Sequence, residues 1–470
     1  MRGKLTALFL MAVFAHVLAD DEIDSAFVAR LGLPVLSIHT IDNEMPQCDY
    51  VWAPEGEFGI SITNKTKVPG RVIVSTSKGD ILYDSYDYQK DERGMTLRIR
   101  GNTSAYYSRK KPYKIKLEKK GDLLGRGDDR FSDKNWLLID EGGDNLNAII
   151  GMKLNSIMNL GKWTPAYMVV NLIINDEYHG IYTLVESVKR NTKCRINVDK
   201  SGFLFERDAY WWNEDVYFST PSDMEYTFKY PDADEITSEQ TDYISNVMAT
   251  VESSIDEGNY DEFIDVRTFA AWLLAQDILG TGDAAGTNIY LTKNDSTALS
   301  KVRMSTLWDF NAIFKTPSQW ASIHNSSFFY FPQLLNSENK LFTAAYKYLW
   351  EEMKDSIFNE MDSFIRDFKT SPLAANIQLS RIYDGKRWKY PPDPILHNIE
   401  NALQWFEERK EWLDNEIGSL QAPSYTDAIH QQPKALAEPS AVYNLHGQKV
   451  RKESAKPGIY IMNGRKVVMK

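Results

Sequence analysis

The sequence predicts an α+β protein with a β-rich N-terminal half, a helical C-terminal half and a small C-terminal β appendage. Short alternating or wholly apolar runs, each followed by turn residues, fill residues 33 to 120. From about residue 237, apolar residues recur at spacings of three and four over long stretches, which is typical of amphipathic helices. The last thirty residues return to short apolar runs separated by Gly turns.

Composition narrows the class of protein. The chain has 470 residues, of which 43% are hydrophobic and 12% aromatic, so it can bury a large core. Its formal net charge of −11 argues against non-specific binding to nucleic acid or anionic lipid, because both need a basic surface. Spacing alone does not show whether Cys48 and Cys194 approach each other, so a disulfide stays open. The sequence contains no pattern of a Cys/His zinc site.

Residues 1–19 have the pattern of a signal peptide. A charged start at Arg2 and Lys4 precedes the apolar run LTALFLMAVF, and Ala19 ends the small-residue pattern for cleavage. No later segment reaches about 18 unbroken apolar residues, the length expected of a membrane span. We therefore expect an exported protein, secreted, periplasmic or at the cell surface, without an integral membrane segment after cleavage.

Five strands are predicted before residue 121. They are PVLSIHTI, EFGISITN, RVIVSTS, TLRIRGN and PYKIKLEKK. In the last of them, Tyr113, Ile115 and Leu117 share one face. Lys114 and Lys116 lie on the opposite face of this strand.

A helix, a hairpin and the helical half follow. The helix is predicted in NLNAIIGMKLNSIMNLG and ends at Gly161. The strands YMVVNLIIN and HGIYTLVES are joined by a turn at Asn175-Asp176-Glu177. The later helices are SEQTDYISNVMATVESSI, FIDVRTFAAWLLAQDIL, LFTAAYKYLWEEMKDSIFNEMDSFIRDF and ILHNIENALQWFEERKEWLDNEIGSL.

Three parts are expected after the signal peptide. The main domain covers residues 20–420, and a polar linker with three Pro and no periodicity covers 421–440. Residues 441–470 contain three predicted short strands, and Asn463-Gly464 is a strong hairpin turn. Because three such strands are marginal alone, we interpret this module as an appendage rather than a catalytic part.

The first candidate site lies in a predicted hairpin. Its strands are NIYLT and KVRMSTLW, with the polar loop KNDSTALS between them. Asn288 enters the first strand and Asp309 leaves the second, so both lie at the open end. Asp283 precedes Asn288 in a Gly-rich loop. Two carboxylates and an amide oxygen at one rim suit a hard cation such as Mg²⁺.

The order Asp283, Asn288, Asp309 also matches protein kinases. In these enzymes a catalytic-loop Asp is followed by a metal-binding Asn and, after a short hairpin, by a metal-binding Asp. Phosphoryl transfer needs metal ions to neutralise phosphate charge and a carboxylate to accept the proton of the attacking hydroxyl. The alternative is an ordinary polar turn, since Gly-Thr-Gly-Asp is common turn composition. Taken alone, the three positions favour that alternative.

The second candidate site is basic. LRIRGNTSAYYSRKKPYKIKLEKK combines a Gly-Asn-Thr-Ser turn with seven Lys or Arg residues between 109 and 120. Backbone N–H groups and hydroxyls of such a turn can cradle phosphate, and a strand Lys can reach the α and β groups. A charge run is more commonly an exposed strand face. Because the chain as a whole is acidic, we interpret this run as phosphate-binding.

Several spaced motifs carry a family resemblance. RIRGNTSAYYSRKKPYKIKL, NWLLID, VNLIINDEYHGIYTLVESV, the D-x-x-x-x-N loop and WDFNAIF come in the order seen in CotH-like proteins. Over residues 33–420 the sequence resembles this family of spore-coat and bacterial surface proteins, which is related to atypical protein kinases of the secretory pathway. The resemblance implies a divergent protein-kinase-like fold that uses ATP and Mg²⁺ or Mn²⁺ to phosphorylate Ser or Thr of surface or secreted proteins.

The resemblance implies roles for individual residues. Asp283 is the implied catalytic Asp, Asp309 the implied metal ligand and Asn288 a second metal contact. The implied nucleotide-binding residues are Arg100, Asn102, Ser104, Lys111, Lys114, Lys116 and Glu186. For Glu186, pairing with a Lys is a hypothesis.

Two questions about the site stay open. Strand alternation pairs Lys114 with Lys116, whereas the family pattern is strong at Lys110-Lys111, so the Lys that contacts ATP is not fixed. The family commonly reads W-D-F-D where this chain has Asn311, and the Arg-Asn pair usual after NWLLID is missing. These departures leave a catalytically inactive surface protein that binds partners as the alternative function. A metal-dependent hydrolase of cell-wall or glycan phosphates is a third hypothesis.

The last thirty residues resemble the short C-terminal modules of exported Bacteroidetes-type proteins. This resemblance implies sorting to the outer surface or secretion. A β appendage that only stabilises the chain is the alternative.

Overall fold

The computed structural model describes residues 24–140, 145–282, 284, 286–314, 329–391 and 394–431, and the backbone of four short strands after residue 441. These residues form an α+β protein with a β-rich N-terminal half and a helical C-terminal half, so the predicted class is confirmed. The predicted signal peptide, residues 1–19, lies outside the described residues.

The chain divides into two compact units. The first contains the described residues up to Ala148, Pro165–Ser187 and Phe364–Asn401. The second contains Ile149–Thr164, Val188–Ser363 and the described residues from Ala402 onward. The predicted nucleotide-binding residues all belong to the first unit, and the predicted metal ligands belong to the second.

The first unit is built around a closed barrel of seven strands, which the sequence did not predict. Its strands are β1 (Val35–Thr40), β2 (Asp49–Trp52), β3 (Ile60–Thr63), β4 (Val68–Ser75), β5 (Ile81–Asp84), β6 (Met95–Ile99), β7 (Tyr113–Gly121), β8 (Asp133–Ile139), β9 (Tyr167–Ile174) and β10 (Glu177–Glu186). The barrel order is β1-β9-β10-β8-β7-β6-β4, and pairing of β4 with β1 closes it. The β1–β9 pair is parallel, and the other neighbours in the barrel are antiparallel. β5 extends the sheet beside β4, and β2 and β3 form a separate ribbon.

Apolar side chains fill the barrel, because so few strands leave room for side chains but not for a channel. On β7, Tyr113, Ile115 and Leu117 are at most 4% exposed and belong to this core. Lys114 and Lys116 lie on the opposite face of the strand. The alternation predicted for β7 is therefore confirmed.

β9 and β10 form the predicted hairpin, with a shorter turn. Ile174 pairs with Glu177, so only Asn175 and Asp176 lie between the strands. These two residues have φ angles of 50° and 64°, as a type I′ turn requires. Glu177, predicted in the turn, therefore begins β10.

The described residues also form ten α-helices. They are α1 (Ser25–Arg30), α2 (Thr103–Tyr107), α3 (Asn145–Met158), α4 (Ser238–Glu257), α5 (Val266–Leu279), α6 (Phe331–Asn336), α7 (Leu341–Lys369), α8 (Pro372–Trp388), α9 (Ile395–Ser419) and α10 (Tyr425–Gln431). The predicted long helices of the second half are α4, α5, α7 and α9. α3 ends before the predicted Gly161, because Asn159 adopts a left-handed conformation with φ of 48°.

The second unit contains a five-stranded antiparallel sheet. Its strands are β11 (Phe203–Arg207), β12 (Tyr217–Ser219), β13 (Glu225–Tyr230), β14 (Ile289–Lys293) and β15 (Val302–Met304), in the order β12-β13-β11-β14-β15. Every residue of α5 except Arg267 is buried, so this helix lies in the core of the unit. Arg409 on α9 is fully buried and donates from Nε to the Asp277 carbonyl at 2.7 Å, which fixes the end of α5.

The C-terminal part differs from its prediction in two ways. Within the predicted linker, α10 begins after Ser424, whose hydroxyl accepts from the N–H of Asp427 at 3.1 Å and so caps the helix. The described residues after 441 form four strands rather than three, namely β16 (Val442–Tyr443), β17 (Lys449–Val450), β18 (Gly458–Met462) and β19 (Arg465–Met469). Met462 pairs with Arg465 across an antiparallel ladder, as a two-residue hairpin between them requires. Asn463-Gly464 itself lies outside the described residues.

Two further expectations concern cysteines and membrane spans. Cys48 and Cys194 are both thiols in the structure, so the disulfide that the sequence left open is not formed. None of the described helices combines the length and the apolar character that a membrane crossing requires.

A buried histidine lies where α8 contacts β10 in the first unit. The Trp388 indole N–H donates to the His179 carbonyl at 2.9 Å, and the two rings meet edge-on with centroids 6.2 Å apart. His179 is 6% exposed, and its Nδ1 makes no hydrogen bond within the described residues. Burial, with the charges of Arg387 and Lys110, lowers the pKa of His179 to about 4.

We predict that His179 makes the first unit acid-sensitive. Because the pKa is lowered on folding, the unfolded chain takes up the proton first as the pH falls below 6.5, and the free energy of unfolding decreases by up to about 3 kcal/mol by pH 4. His179→Phe should remove this contribution, so the difference in unfolding free energy between wild type and variant should change between pH 7 and pH 4. Urea unfolding at both pH values measures it, and an equal difference at both would contradict the prediction.

Candidate functional site

β14 and β15 form the predicted hairpin between Asn288 and Asp309. The two strands pair antiparallel, and just past the ladder the Ser305 N–H donates to the Tyr290 carbonyl at 2.8 Å. Regular pairing ends at Met304, so β15 is shorter than predicted. Asn288 lies directly before β14, and Asp309 lies five residues after β15.

The side chains of Asn288 and Asp309 meet at the open end of this hairpin. Nδ2 of Asn288 donates to Oδ2 of Asp309 at 3.5 Å. Both backbones are left-handed, with φ of 60° and 59°. Asn and Asp enter this region more readily than most residues, but it still costs free energy and persists only where the surroundings enforce it. Such positions cluster at functional sites.

This pair has the chemistry of a divalent-cation site. Carboxylate and amide oxygens are the ligands that Mg²⁺ and Mn²⁺ prefer. Turning the Asn288 amide by 180° puts its Oδ1 in the place of Nδ2, so that the oxygen faces the metal position. Asp283, the third predicted member, lies outside the described residues. Within the part of the chain that the structure describes, no group of three or more His, Cys, Asp or Glu side chains is placed to hold a metal. The described residues therefore offer one carboxylate and one amide here, and waters and phosphate oxygens commonly complete the shell of a bound Mg²⁺.

The Gly-Asn-Thr-Ser turn of the first unit leads into α2. Gly101 has a φ of 81°, a conformation that glycine adopts without strain. Oδ1 of Asn102 accepts from the Ser61 hydroxyl at 2.8 Å, which ties the turn to β3. Ser104 is exposed on the first turn of α2. Of the residues predicted to bind nucleotide here, Asn102 is held by the fold and Ser104 faces solvent.

Lys111 forms a hydrogen bond with the same helix, α2. Its Nζ donates to the Ala105 carbonyl at 2.6 Å and lies 5.7 Å from the centroid of the Tyr50 ring. The Tyr50 hydroxyl donates to the same carbonyl at 3.0 Å. Burial lowers the pKa of Lys111, and burial raises the pKa of Tyr50 to about 12. Lys111 is therefore the predicted lysine that lies against the turn.

The other basic residues of the predicted site lie along the outside of the barrel. Lys114 is opposite Arg98 on β6 and half-buried, while Lys116 is exposed. Arg100 is half-buried, and its backbone N–H donates to the Pro112 carbonyl at 3.0 Å. These side chains form an outward-facing basic strand surface.

Glu186 lies at the end of β10 and is 1% exposed. Its Oε1 accepts from Nη2 of Arg126 at 2.9 Å, and its Oε2 accepts from the Ala166 N–H at 3.1 Å. Arg126 also forms an ion pair with Asp122 at 2.9 Å. The structure places an arginine against Glu186, and the pairing of Glu186 with a Lys stays a prediction. Arg126 reaches Glu186 from the loop after β7, whereas Lys114 and Lys116 point outward from the barrel.

Lys110, one of the two lysines at which the family pattern is strong, is buried. Its Nζ donates to the Ile181 carbonyl at 2.6 Å and lies 3.0 Å from a carboxylate oxygen of both Asp140 and Asp384. The ring of Tyr182 lies 4.7 Å from the same ammonium. Lys110 is 3% exposed and Asp384 is fully buried, so solvent does not screen this cluster.

Asp384 joins α8 to the barrel. Its Oδ1 accepts from the Ile181 N–H at 3.0 Å, and its other oxygen accepts from the Tyr390 hydroxyl. Gly180 has a φ of 98°, and a Cβ there would overlap the Asp384 carboxylate. Burial raises the pKa of Asp384, and Lys110 opposes this shift. The first lysine of the Lys110-Lys111 pair is therefore held in a buried ion cluster.

A comparison with known families assigns the chain. The sequence description of the family called CotH kinase protein matches residues 97–413, more than half of the chain. The chain therefore belongs to the CotH kinase family. The matched region includes the end of β6, all of β7, the hairpin of β14 and β15, and both residues of the Asn288–Asp309 pair. None of the curated proteins matches the chain.

Proposed function

We propose that this protein is an exported atypical protein kinase that transfers the γ-phosphate of ATP to Ser or Thr hydroxyls of surface or secreted proteins. The main domain, in this proposal, has a divergent protein-kinase-like fold. The observation that carries the proposal is the 3.5 Å contact between Asn288 and Asp309 in a chain of the CotH kinase family. A turn with no function has no need to bring two left-handed residues with metal-ligand chemistry together.

Three residues of the second unit have separate roles in this proposal. Asn288 and Asp309 hold Mg²⁺ or Mn²⁺ through their oxygen atoms. Asp283 orients the acceptor hydroxyl and accepts its proton as the bond to phosphorus forms. The bound divalent ion supplies positive charge against the phosphate oxygens.

The first unit contributes the nucleotide contacts in this proposal. Lys111 and Ser104 are proposed to bind phosphate oxygens beside the turn after Gly101. Asn102 is proposed to keep that turn in place through Ser61. Lys114, Lys116, Arg100 and Glu186 remain predicted contacts of the nucleotide.

A second function, partner binding by an inactive family member, is favoured by one residue. Asn311 stands where the family commonly has a second Asp, and its side chain is exposed. Loss of that carboxylate removes a negative charge close in sequence to Asp309. The two functions differ in whether ATP is consumed.

The full chain without residues 1–19 provides the test. It is incubated with γ-labelled ATP and Mn²⁺, with casein as acceptor, and phosphate on the chain and on casein is measured. The proposal expects labelling by wild type and by Asp242→Asn, an exposed control on α4, and none by Asp309→Ala. Equal labelling by wild type and Asp309→Ala would refute it. A thermal shift with ATP and Mn²⁺ that disappears in Asp309→Ala, without transfer, would support the inactive alternative.

Lys111 provides a separate prediction for nucleotide affinity. Lys111→Met should raise the dissociation constant for ATP about tenfold or more, because it removes a charge-assisted hydrogen bond worth about 1.5–3 kcal/mol. Lys119→Met is the matched control, since Lys119 is exposed on the same strand. Titration calorimetry with ATP and Mg²⁺ measures both constants. Equal affinities of the two variants would remove Lys111 from the nucleotide site.

A further inference from the structure

The backbone that carries Asp309 leaves the sheet before it reaches this residue. Just past the ladder, the Ser305 N–H donates to the Tyr290 carbonyl at 2.8 Å. Ser305, Thr306 and Leu307 are nevertheless fully buried. Buried backbone groups need partners, so another element must hold this stretch.

Asn155 on α3 supplies one backbone partner and one side-chain partner. Its Oδ1 accepts from the Leu307 N–H at 3.2 Å, and its Nδ2 donates to the Thr306 hydroxyl at 2.8 Å. Asn155 is fully buried, so both bonds are shielded from water. One buried amide thus binds both residues, Leu307 through its backbone N–H and Thr306 through its side chain.

Gly151 packs against Phe310, the residue that follows Asp309. It lies one helical turn before Asn155, and a Cβ built there would overlap the ring of Phe310. The helix and this ring are therefore in direct contact, with no room for a larger residue. Asp309 lies between the two contacts, two residues after Leu307 and directly before Phe310.

We propose that Asn155 and Gly151 are positioning residues that set the place of the Asp309 carboxylate, so that α3 determines metal affinity. Two contacts that bracket one residue hold its backbone at φ 59°, which the chain would otherwise leave. A shift of α3 by a fraction of an ångström moves Asp309 relative to Asn288, because both contacts are rigid. The inference rests on the proposed metal role of Asp309.

Mn²⁺ binding tests the inference independently of catalysis. Mn²⁺ is titrated in the presence of a non-hydrolysable ATP analogue, and binding is measured as the loss of the EPR signal of the free ion. The proteins compared are wild type, Asn155→Leu, Gly151→Ala, Ser156→Ala and Asp309→Ala. We expect the Mn²⁺ dissociation constant to rise about 10- to 100-fold in Asn155→Leu and Gly151→Ala. Ser156→Ala, an exposed position on the same helix, should bind like wild type, and Asp309→Ala should lose binding.

A rescue experiment separates positioning from general damage. If α3 acts through Asp309, excess Mn²⁺ restores phosphate transfer by Asn155→Leu. If the substitution instead loosens the fold, excess Mn²⁺ does not restore transfer. If Asn155→Leu lacks a cooperative thermal transition, Thr306→Val replaces it, since this change removes the hydroxyl that accepts from Asn155 and donates to the Leu307 carbonyl. Wild-type Mn²⁺ affinity in folded Asn155→Leu or Thr306→Val, with binding lost in Asp309→Ala, would overturn the inference and leave the proposed function standing. Wild-type affinity in Asp309→Ala would overturn both.

Discussion

Asp283→Asn is expected to lower the rate of phosphate transfer about 10²- to 10⁴-fold while leaving the affinities for Mn²⁺ and ATP close to those of wild type. In the proposed reaction Asp283 accepts a proton and orients the acceptor hydroxyl, and an amide of the same shape does neither. Asp309→Ala should instead lose transfer and Mn²⁺ binding together, because the metal ligand itself is removed. Single-turnover transfer and Mn²⁺ titration on the same preparations measure the two quantities.

The contrast between these variants is the informative result. Asp242→Asn controls for the loss of one carboxylate elsewhere on the chain, and it should transfer phosphate at the wild-type rate. An Asp283→Asn variant that retains the wild-type rate would remove this residue from catalysis. If it loses Mn²⁺ binding as Asp309→Ala does, Asp283 acts as a metal ligand rather than as the base.

Lys110→Met is expected to destabilise the first unit by about 3–5 kcal/mol. The change leaves the carboxylates of Asp140 and Asp384 facing each other in a buried site without their cation. Removal of the ammonium should raise the pKa of Asp384 further, since Lys110 opposes the effect of burial on that group. Protonation then relieves the repulsion, so the destabilisation should be larger at pH 7 than at pH 4.

Urea unfolding at the two pH values measures this effect. Lys119→Met, an exposed substitution on β7, should change the free energy of unfolding by less than about 0.5 kcal/mol. A loss below about 1 kcal/mol in Lys110→Met would contradict the role assigned to the buried cluster.

Local patterns in the sequence predict much of the fold. The predicted alternation of buried and outward-facing residues in β7 is confirmed, because the interior of the barrel accepts only the apolar face of the strand. The turn at Asn175 and Asp176 holds because these residue types tolerate the left-handed backbone that a two-residue hairpin needs. Barrel closure does not follow from such patterns. It depends on pairing β1 with both β4 and β9, which are distant from each other along the chain.

In the candidate site, too, some contacts follow from local sequence patterns and others do not. The hairpin predicts that Asn288 and Asp309 approach each other, and the structure brings them into contact, while their roles stay predictions. The fate of Lys110 is not readable from the run of lysines, because it depends on Asp384, which lies 274 residues further along the chain. The contact of Asn155 with Thr306 is equally non-local, since an Asn in a helix carries no signal of its distant partner.

The proposed metal site is tested most sharply by an anomalous difference map from crystals grown with Mn²⁺ and a non-hydrolysable ATP analogue. We expect a manganese peak about 2.1 Å from an oxygen of Asp309 and from the amide oxygen of Asn288. A fully occupied nucleotide whose manganese lies away from both side chains would contradict it.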